Sequence, residues 1–191
     1  MKRFIVTGHL ASTAGNFSLN DLPGAGRMDV LCRCVNASFF LSHDFRRDVE
    51  CYLVLCGEPE PPKTVMFSGE KVRYLSPDER SAGSLIKKAL ALPARSEFRE
   101  STPGVYVRKG GLGQVLDEFE CAVLAESGQD IRSAKDLPEA YLLSDHHNFS
   151  EDEMSLISNL PAYSVGPLSL HGDHTISVLN NEFDRRRAGW H

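Results

Sequence analysis

The sequence predicts an α/β fold built on a largely parallel sheet flanked by helices. Three observations carry that expectation. Short apolar runs alternate with stretches of helical apolar spacing from one end of the chain to the other. Two helical stretches open on a hydroxyl residue followed three positions later by a glutamate, at Ser76-Pro77-Asp78-Glu79 and Ser150-Glu151-Asp152-Glu153. No internal repeat and no low-complexity linker breaks the alternation. With 191 residues the chain can bury a full core as one domain.

Taken in order, residues 3–7 read as a strand and residues 17–26 as a loop rich in Asn, Asp, Pro and Gly. Met28, Leu31, Cys32, Val35 and Phe39 recur at helical spacing, so residues 28–41 read as a helix. Residues 50–56 read as a buried strand. Residues 64–67 and 72–75 flank Ser68-Gly69-Glu70-Lys71 and read as a hairpin. Ser76 is the expected cap of the next helix, with Pro77 at its first position and its end near Leu92. Residues 93–103 read as a loop, 104–108 as a strand, 111–120 as a short helix and 121–124 as a buried strand. Residues 141–143 form the next expected strand, and Ser150 opens a helix to about Asn159. Residues 162–165 read as the last strand and 173–187 as the last helix.

Composition narrows the class. A hydrophobic share of 41% with 25% charged residues is that of an ordinary globule. No apolar run is long enough to span a membrane. The amino terminus enters a strand pattern without an apolar leader, which predicts a cytoplasmic protein. Five cysteines, mostly in apolar runs, predict reduced and buried thiols. Cys32 and Cys34 have no second pair at zinc spacing, and His146-His147 and His171-x-x-His174 lack further ligands, so no metal is expected. Pocket-wall or structural roles suit His146 and His171 better. The net charge of −5 is uneven: residues 1–100 carry 14 Lys and Arg against 12 Asp and Glu, residues 101–191 carry 7 against 14. A polyanionic partner would therefore favour the first half. Neither Gly-x-Gly-x-x-Gly after a strand, nor a phosphate loop, nor a Gly-x-Ser-x-Gly elbow occurs, which disfavours nicotinamide, nucleotide-triphosphate and serine-hydrolase chemistry.

The segment 163–176 is the most informative. Its apolar run stops at Gly166-Pro167, and a polar turn precedes the last helix. Such a turn offers main-chain N–H and C=O groups to a ligand. Ligands of parallel sheets bind outside the carboxyl ends of strands. Three expected strand ends carry suggestive residues: Leu124-Ala125-Glu126, Leu143-Ser144-Asp145 and Val165-Gly166-Pro167.

A family likeness then emerges. It rests on Asp21-Leu22-Pro23-Gly24 with Gly26-Arg27-Met28-Asp29-Val30-Leu31-Cys32-Arg33-Cys34, and on Ala37-Ser38-Phe39-Phe40-Leu41-Ser42-His43-Asp44-Phe45-Arg46-Arg47-Asp48. Pro61-Pro62, Leu75-Ser76-Pro77-Asp78-Glu79-Arg80, Ser101-Thr102-Pro103-Gly104-Val105-Tyr106-Val107-Arg108, Ser144-Asp145-His146 and Pro167-Leu168-Ser169-Leu170-His171 extend it over nearly the whole chain. With these motifs the chain resembles the archaeal tRNA pseudouridine-54 N1-methyltransferases (TrmY), a branch of the SPOUT superfamily, and their bacterial relatives. The resemblance implies a single SPOUT domain over residues 1–191 with a trefoil knot over roughly 121–191, an exception to the rule against threaded loops. It also implies S-adenosylmethionine bound in the knot, a homodimer, and methyl transfer to N1 of a pseudouridine in RNA, with tRNA the expected substrate. Alternatives of the same likeness are a ribosomal-RNA methyltransferase or a non-catalytic RNA- or protein-binding module.

Carried onto this chain, the cofactor pocket would use Leu124, Ser144, Ser164, Val165, Gly166, Pro167, Leu168 and Ser169, with Thr175 nearby. The family commonly has Gly where Ser144 stands and Cys where Thr175 stands. The first departure suggests a bacterial-type variant, and the second rules out an essential thiol there. Arg27 and Asp29 are the catalytic candidates: Arg27 for the base or a phosphate, Asp29 for orientation or proton acceptance. Their plain alternative is helix-start electrostatics, since an aspartate favours a helix amino end. Asp21 is a weaker candidate. Arg33, Arg46, Arg47 and Arg80 are the expected RNA contacts, which position without reading sequence. Phe39 and Phe40 read as core.

Overall fold

The computed structural model describes residues 1–190. In chain order its elements are β1 (Lys2–Gly8), α1 (Met28–Phe39), β2 (Val49–Leu55), β3 (Lys63–Ser68), α2 (Glu79–Leu90), β4 (Arg99–Thr102), β5 (Val105–Lys109), α3 (Leu112–Leu116), β6 (Cys121–Asp130), β7 (Ala140–Ser144), α4 (Glu151–Ile157), β8 (Ala162–Ser164) and α5 (Gly172–Arg187). The strands form one sheet in the order β4-β5-β3-β2-β1-β7-β6-β8. β2, β1, β7, β6 and β8 run parallel, and β3, β5 and β4 extend the β2 edge antiparallel.

Strand side chains alternate faces, and both faces here are covered, so the central strands are continuously apolar. Phe4 and Val6 of β1 and Cys51, Leu53 and Leu55 of β2 point into one core with Met28, Leu31, Val35 and Phe39 of α1, Leu85 and Ile86 of α2, and Ile176 and Leu179 of α5. Ile5, Tyr52 and Val54 point the other way, against Leu112 and Val115 of α3 and Ile157 of α4. α5 is tied down by polar contacts as well. Asn180 Nδ2 donates to Ala37 O at 3.1 Å, and Arg186 donates to Ile131 O at 2.6 Å and Ala134 O at 2.8 Å. All five cysteines are free thiols, four of them buried. Among the described residues no helix is long and apolar enough to cross a membrane.

Four local expectations need correction. Residues 72–75 form no strand. Both edges of β3 are taken, by β2 and β5, so it has none left for a local hairpin partner. The cap of α2 is Asp78, whose side chain accepts from the Ser81 N–H; Ser76 lies before the helix, its N–H donating to Ser81 Oγ at 2.8 Å. Residues 99–102 form β4, a charged edge strand without apolar alternation. β6 runs six residues beyond the expected 121–124, to Asp130.

Candidate functional site

Three parallel strands end side by side, and their connections part company there. The chain leaving β6 carries Ile131 into the α1–α2–α5 core. The chain leaving β7 becomes α4, whose Ile157 packs in the other core. A crevice is forced open where crossovers go to opposite faces. Here it is a cavity of about 810 Å³.

Of the nine residues expected to hold a cofactor, Leu124, Ser144, Ser164, Val165, Gly166, Leu168, Ser169 and Thr175 line this cavity. Pro167 belongs to the same turn but is exposed and off the lining. The turn is braced by its own serine: Ser164 Oγ donates to Gly166 O at 2.6 Å and accepts from the Gly166 N–H at 3.2 Å. A Cβ on Gly166 would meet no atom within 4 Å, so the turn faces open space. At Gly172 a Cβ would lie 3.2 Å from Cys34 Sγ. Glycine there lets α5 start close against α1, with Thr175 and His171 on the wall. On β6, Leu124 and Gln129 both pair with Tyr163 of β8, so residues 125–128 make an excursion from the sheet. Ala125, Glu126 and Ser127 of that excursion are cavity wall.

The β7 end supplies the next wall, from Ser144 to Phe149. Ser144 Oγ donates to His147 O, and Asp145 Oδ1 accepts the His147 N–H at 2.9 Å. His146, His147 and His171 face the cavity, the pocket-wall role that suited His146 and His171 in the sequence. One cluster escaped the sequence reading. His9, just past β1, lies with Nδ1 2.8 Å from Asp145 Oδ1 and Nε2 2.8 Å from Glu153 Oε2. A lone histidine after a strand carries no signal of partners 136 and 144 residues away.

Arg27 and Arg33 line the cavity too, from the α1 side. Arg27 sits in the left-handed region at φ 63°, directly after Gly26 at φ 72°. Two successive left-handed residues turn the chain sharply and set the entry of α1. Glycine is required at the first of them, because a Cβ there would fall 1.6 Å from Leu10 O. Arg27 forms a two-pronged pair with Asp29, Nε to Oδ1 and Nη2 to Oδ2, both at 3.0 Å. Arg33 Nη1 donates to Asp29 Oδ2 at 3.0 Å and Glu79 Oε1 at 3.1 Å. Burial alone would raise the Asp29 carboxyl, but hydrogen bonds from Arg27 and Arg33 hold it below the usual aspartate value. Asp29 is buried and absent from the cavity lining.

The other arginines lie outside the cavity lining. Arg46 makes a two-pronged pair with Asp184 of α5, at 2.8 and 2.6 Å. Arg47 donates to Gly69 O and stacks over Phe45, 4.7 Å from its ring centre. Arg80 is exposed and donates to Asn20 Oδ1. Asp21 Oδ1 accepts the Gly24 N–H at 3.0 Å, which is turn chemistry. Phe39 is core and Phe40 packs edge-on against Phe45. Among the described residues no three His, Cys, Asp or Glu side chains converge to hold a metal ion.

Comparison with known proteins matches residues 1–188 to the family described as "Putative SAM-dependent RNA methyltransferase". Relatives named tRNA (pseudouridine(54)-N(1))-methyltransferase include one from Methanocorpusculum labreanum, 59% identical over 97% of this chain and 98% of its own. Another, from Methanospirillum hungatei, is 53% identical over 100% of both chains. A third, from Methanocaldococcus jannaschii, is 37% identical over 98% of each. Among solved structures, Archaeoglobus fulgidus Nep1 bound to S-adenosylhomocysteine shares the fold, with a TM-score of 0.70 at 16% identity over 98% of each chain. These relatives are archaeal, which corrects the bacterial-type reading of Ser144.

Proposed function

The chain belongs to the SAM-dependent RNA methyltransferase family, and from that membership we propose that it methylates N1 of pseudouridine 54 in tRNA. The observation that carries the reading is the cavity at the ends of β6, β7 and β8, with two guanidiniums on its wall. Its volume, about 810 Å³, lies within the range of ligand sites, and its lining mixes apolar side chains such as Leu124, Leu143 and Ile157 with polar ones such as Ser144, Ser164 and Thr175. Those are the features an adenosyl and a methionyl group require. Leu124, Ser144, residues 164–169 and Thr175 would hold the cofactor, which supplies a sulfonium methyl group for in-line displacement.

The chain's own work is alignment and charge. Holding nucleophile and methyl carbon in line removes several kcal/mol of barrier. N1 of pseudouridine becomes nucleophilic as its proton leaves, and negative charge then develops on the ring. In this reading Arg27, whose guanidinium is on the cavity wall, stabilises it. Asp29 holds Arg27 and Arg33 in aim. A carboxylate bound to two guanidiniums is a poor proton acceptor, so of its two expected roles orientation is the one supported. Arg33 and the exposed Arg80 are the RNA contacts of this reading; Arg46 and Arg47 spend their guanidiniums inside the chain.

The reading extends to assembly and place. Met154, Leu168 and Leu170 stand 52%, 74% and 43% exposed while lining the cavity. Exposed apolar side chains at a cavity mouth fit a homodimer in which a second copy covers them. The reading keeps a knotted lobe over roughly residues 121–191 as the family resemblance implies. A tRNA substrate fits a cytoplasmic enzyme. The test is tritium transfer from labelled S-adenosylmethionine into tRNA carrying pseudouridine or uridine at position 54, beside a ribosomal-RNA fraction. Label only in the pseudouridine tRNA is expected. Label confined to ribosomal RNA, or cofactor binding without transfer to any RNA, would overturn the tRNA assignment.

A further inference from the structure

His9 is tied through both ring nitrogens and its backbone. Nδ1 and Nε2 each lie 2.8 Å from a carboxylate oxygen, of Asp145 and Glu153, and the His9 N–H donates to Asp145 Oδ2 at 2.9 Å. The side chains are 16%, 1% and 13% exposed, in that order. A ring that donates from both nitrogens to two carboxylates that only accept is an imidazolium, the form favoured by the raised His9 pKa. The bond to Glu153 does not stand alone, for Glu153 Oε2 also accepts the Ser150 N–H at 2.8 Å in the capping box of α4.

The two carboxylates bracket one segment. Asp145 directly follows β7, Glu153 lies in the first turn of α4, and residues 146–149 between them are all cavity wall. We propose that His9 is a positioning residue for the cofactor cavity, fastening both ends of the 145–153 segment to β1 while it carries its proton. The proposal rests on reading this cavity as the cofactor site. Loss of the proton leaves one donor for two carboxylates. The unserved carboxylate then faces a ring lone pair in a dry site, and of its three ties to His9 the wall segment keeps the backbone N–H bond and one ring nitrogen.

The surrounding groups set the pH window. From the same segment, the rings of His147 and Phe149 stand edge-on at 6.0 and 6.4 Å, and His146 Nδ1 lies 3.4 Å from Asp145 Oδ2. From β2's end, the Cys56 thiol is pushed up to about 11 by burial and by the two carboxylates, so it adds no charge. From α1's side the Arg27 charge reaches Asp145. Burial disfavours a charge on His9, but the hydrogen bonds to Asp145 and Glu153 outweigh it and raise its pKa above 6.5. A raised histidine pKa means the fastening is complete below 6.5 and fades as pH rises through the folded value.

The test measures S-adenosylhomocysteine affinity by calorimetry between pH 6 and pH 9 for the natural protein, His9→Gln and Glu153→Gln. The natural protein should lose roughly tenfold in affinity across that range, the scale of one charged hydrogen bond. His9→Gln should be weak at every pH, with the slope reduced. In turnover it should raise KM for the cofactor more than it lowers kcat. Glu153→Gln removes an anion and should move the transition to lower pH. Tight binding by His9→Gln with an unchanged pH profile would overturn the proposal and leave the cofactor reading standing. Absence of binding by the natural protein would overturn the cofactor reading, and with it the cavity role given to His9. The fastening itself is then decided without ligand, by the His9 NMR titration and by amide exchange over residues 145–150. A raised pKa with roughly tenfold faster exchange in His9→Gln supports it; an ordinary pKa or unchanged exchange refutes it.

Discussion

Arg27 occupies a backbone conformation that most residues avoid, and its partner Asp29 is buried beside it. The strain and the ion pair together fix a guanidinium on the cavity wall. Lysine keeps the charge but not the two-pronged geometry. Arg27→Lys should therefore lower kcat by about 100-fold, the usual loss for one aimed transition-state donor. S-adenosylhomocysteine affinity, read by calorimetry, should change by less than about threefold; an equal loss in both would move Arg27 to cofactor binding. Asp29 adds a stability prediction. Its pKa is depressed, so its contribution is present above 3.8 and disappears as pH falls through the folded value. Asp29→Asn should cost about 2 kcal/mol in urea unfolding at pH 7, with the gap closing below 3.8. A gap that persists in acid would mean packing, and not charge, sets the cost.

The elements differ in how much each owes to its own residues. α4 is short and carries its start signal in full: Ser150 accepts the Glu153 N–H, and Glu153 accepts the Ser150 N–H. Ser150→Ala should cost about 1 kcal/mol by thermal or urea unfolding. The entry to α1 depends on a distant carbonyl instead. Gly26→Ala puts a Cβ against Leu10 O and should cost roughly 3 kcal/mol, with loss of turnover because Arg27 loses its aim. A stable, active Gly26→Ala would mean the turn relaxes freely. The same division explains which elements were legible. α1, α4, α5, β1, β2, β5, β7 and β8 follow from apolar periodicity and caps, which act within a few residues. The expected strand at 72–75 fails because Ser68 N–H donates to Gly104 O and Arg73 N–H to Pro103 O, pairings set by the distant β4–β5 turn. β4 has exposed Arg99 and Glu100 and no buried stripe, so local pattern could not find it.

At the scale of the whole molecule, the exposed apolar mouth of the cavity carries the assembly prediction. Leu168→Glu with Leu170→Glu should convert a dimer to monomers by light scattering and weaken cofactor binding, while the fold persists by circular dichroism. A natural protein that is monomeric at micromolar concentration would end that reading. The α/β class, most elements, the buried thiols and, through ordered motifs, the family are legible in the chain alone. These are readable because propensity, periodicity and motif spacing are properties of neighbours along the chain. The convergence of residues 124–127, 144–149, 164–166 and 168–172 on one cavity, the turning aside of Arg46 to Asp184, and the union of His9 with Asp145 and Glu153 follow from tertiary structure alone. Their partners lie more than a hundred residues apart in the last two cases: the parallel sheet, which sets the ends of β1 and β7 side by side, brings His9 to Asp145 and Glu153, and the packing of α5 against α1 brings Asp184 to Arg46.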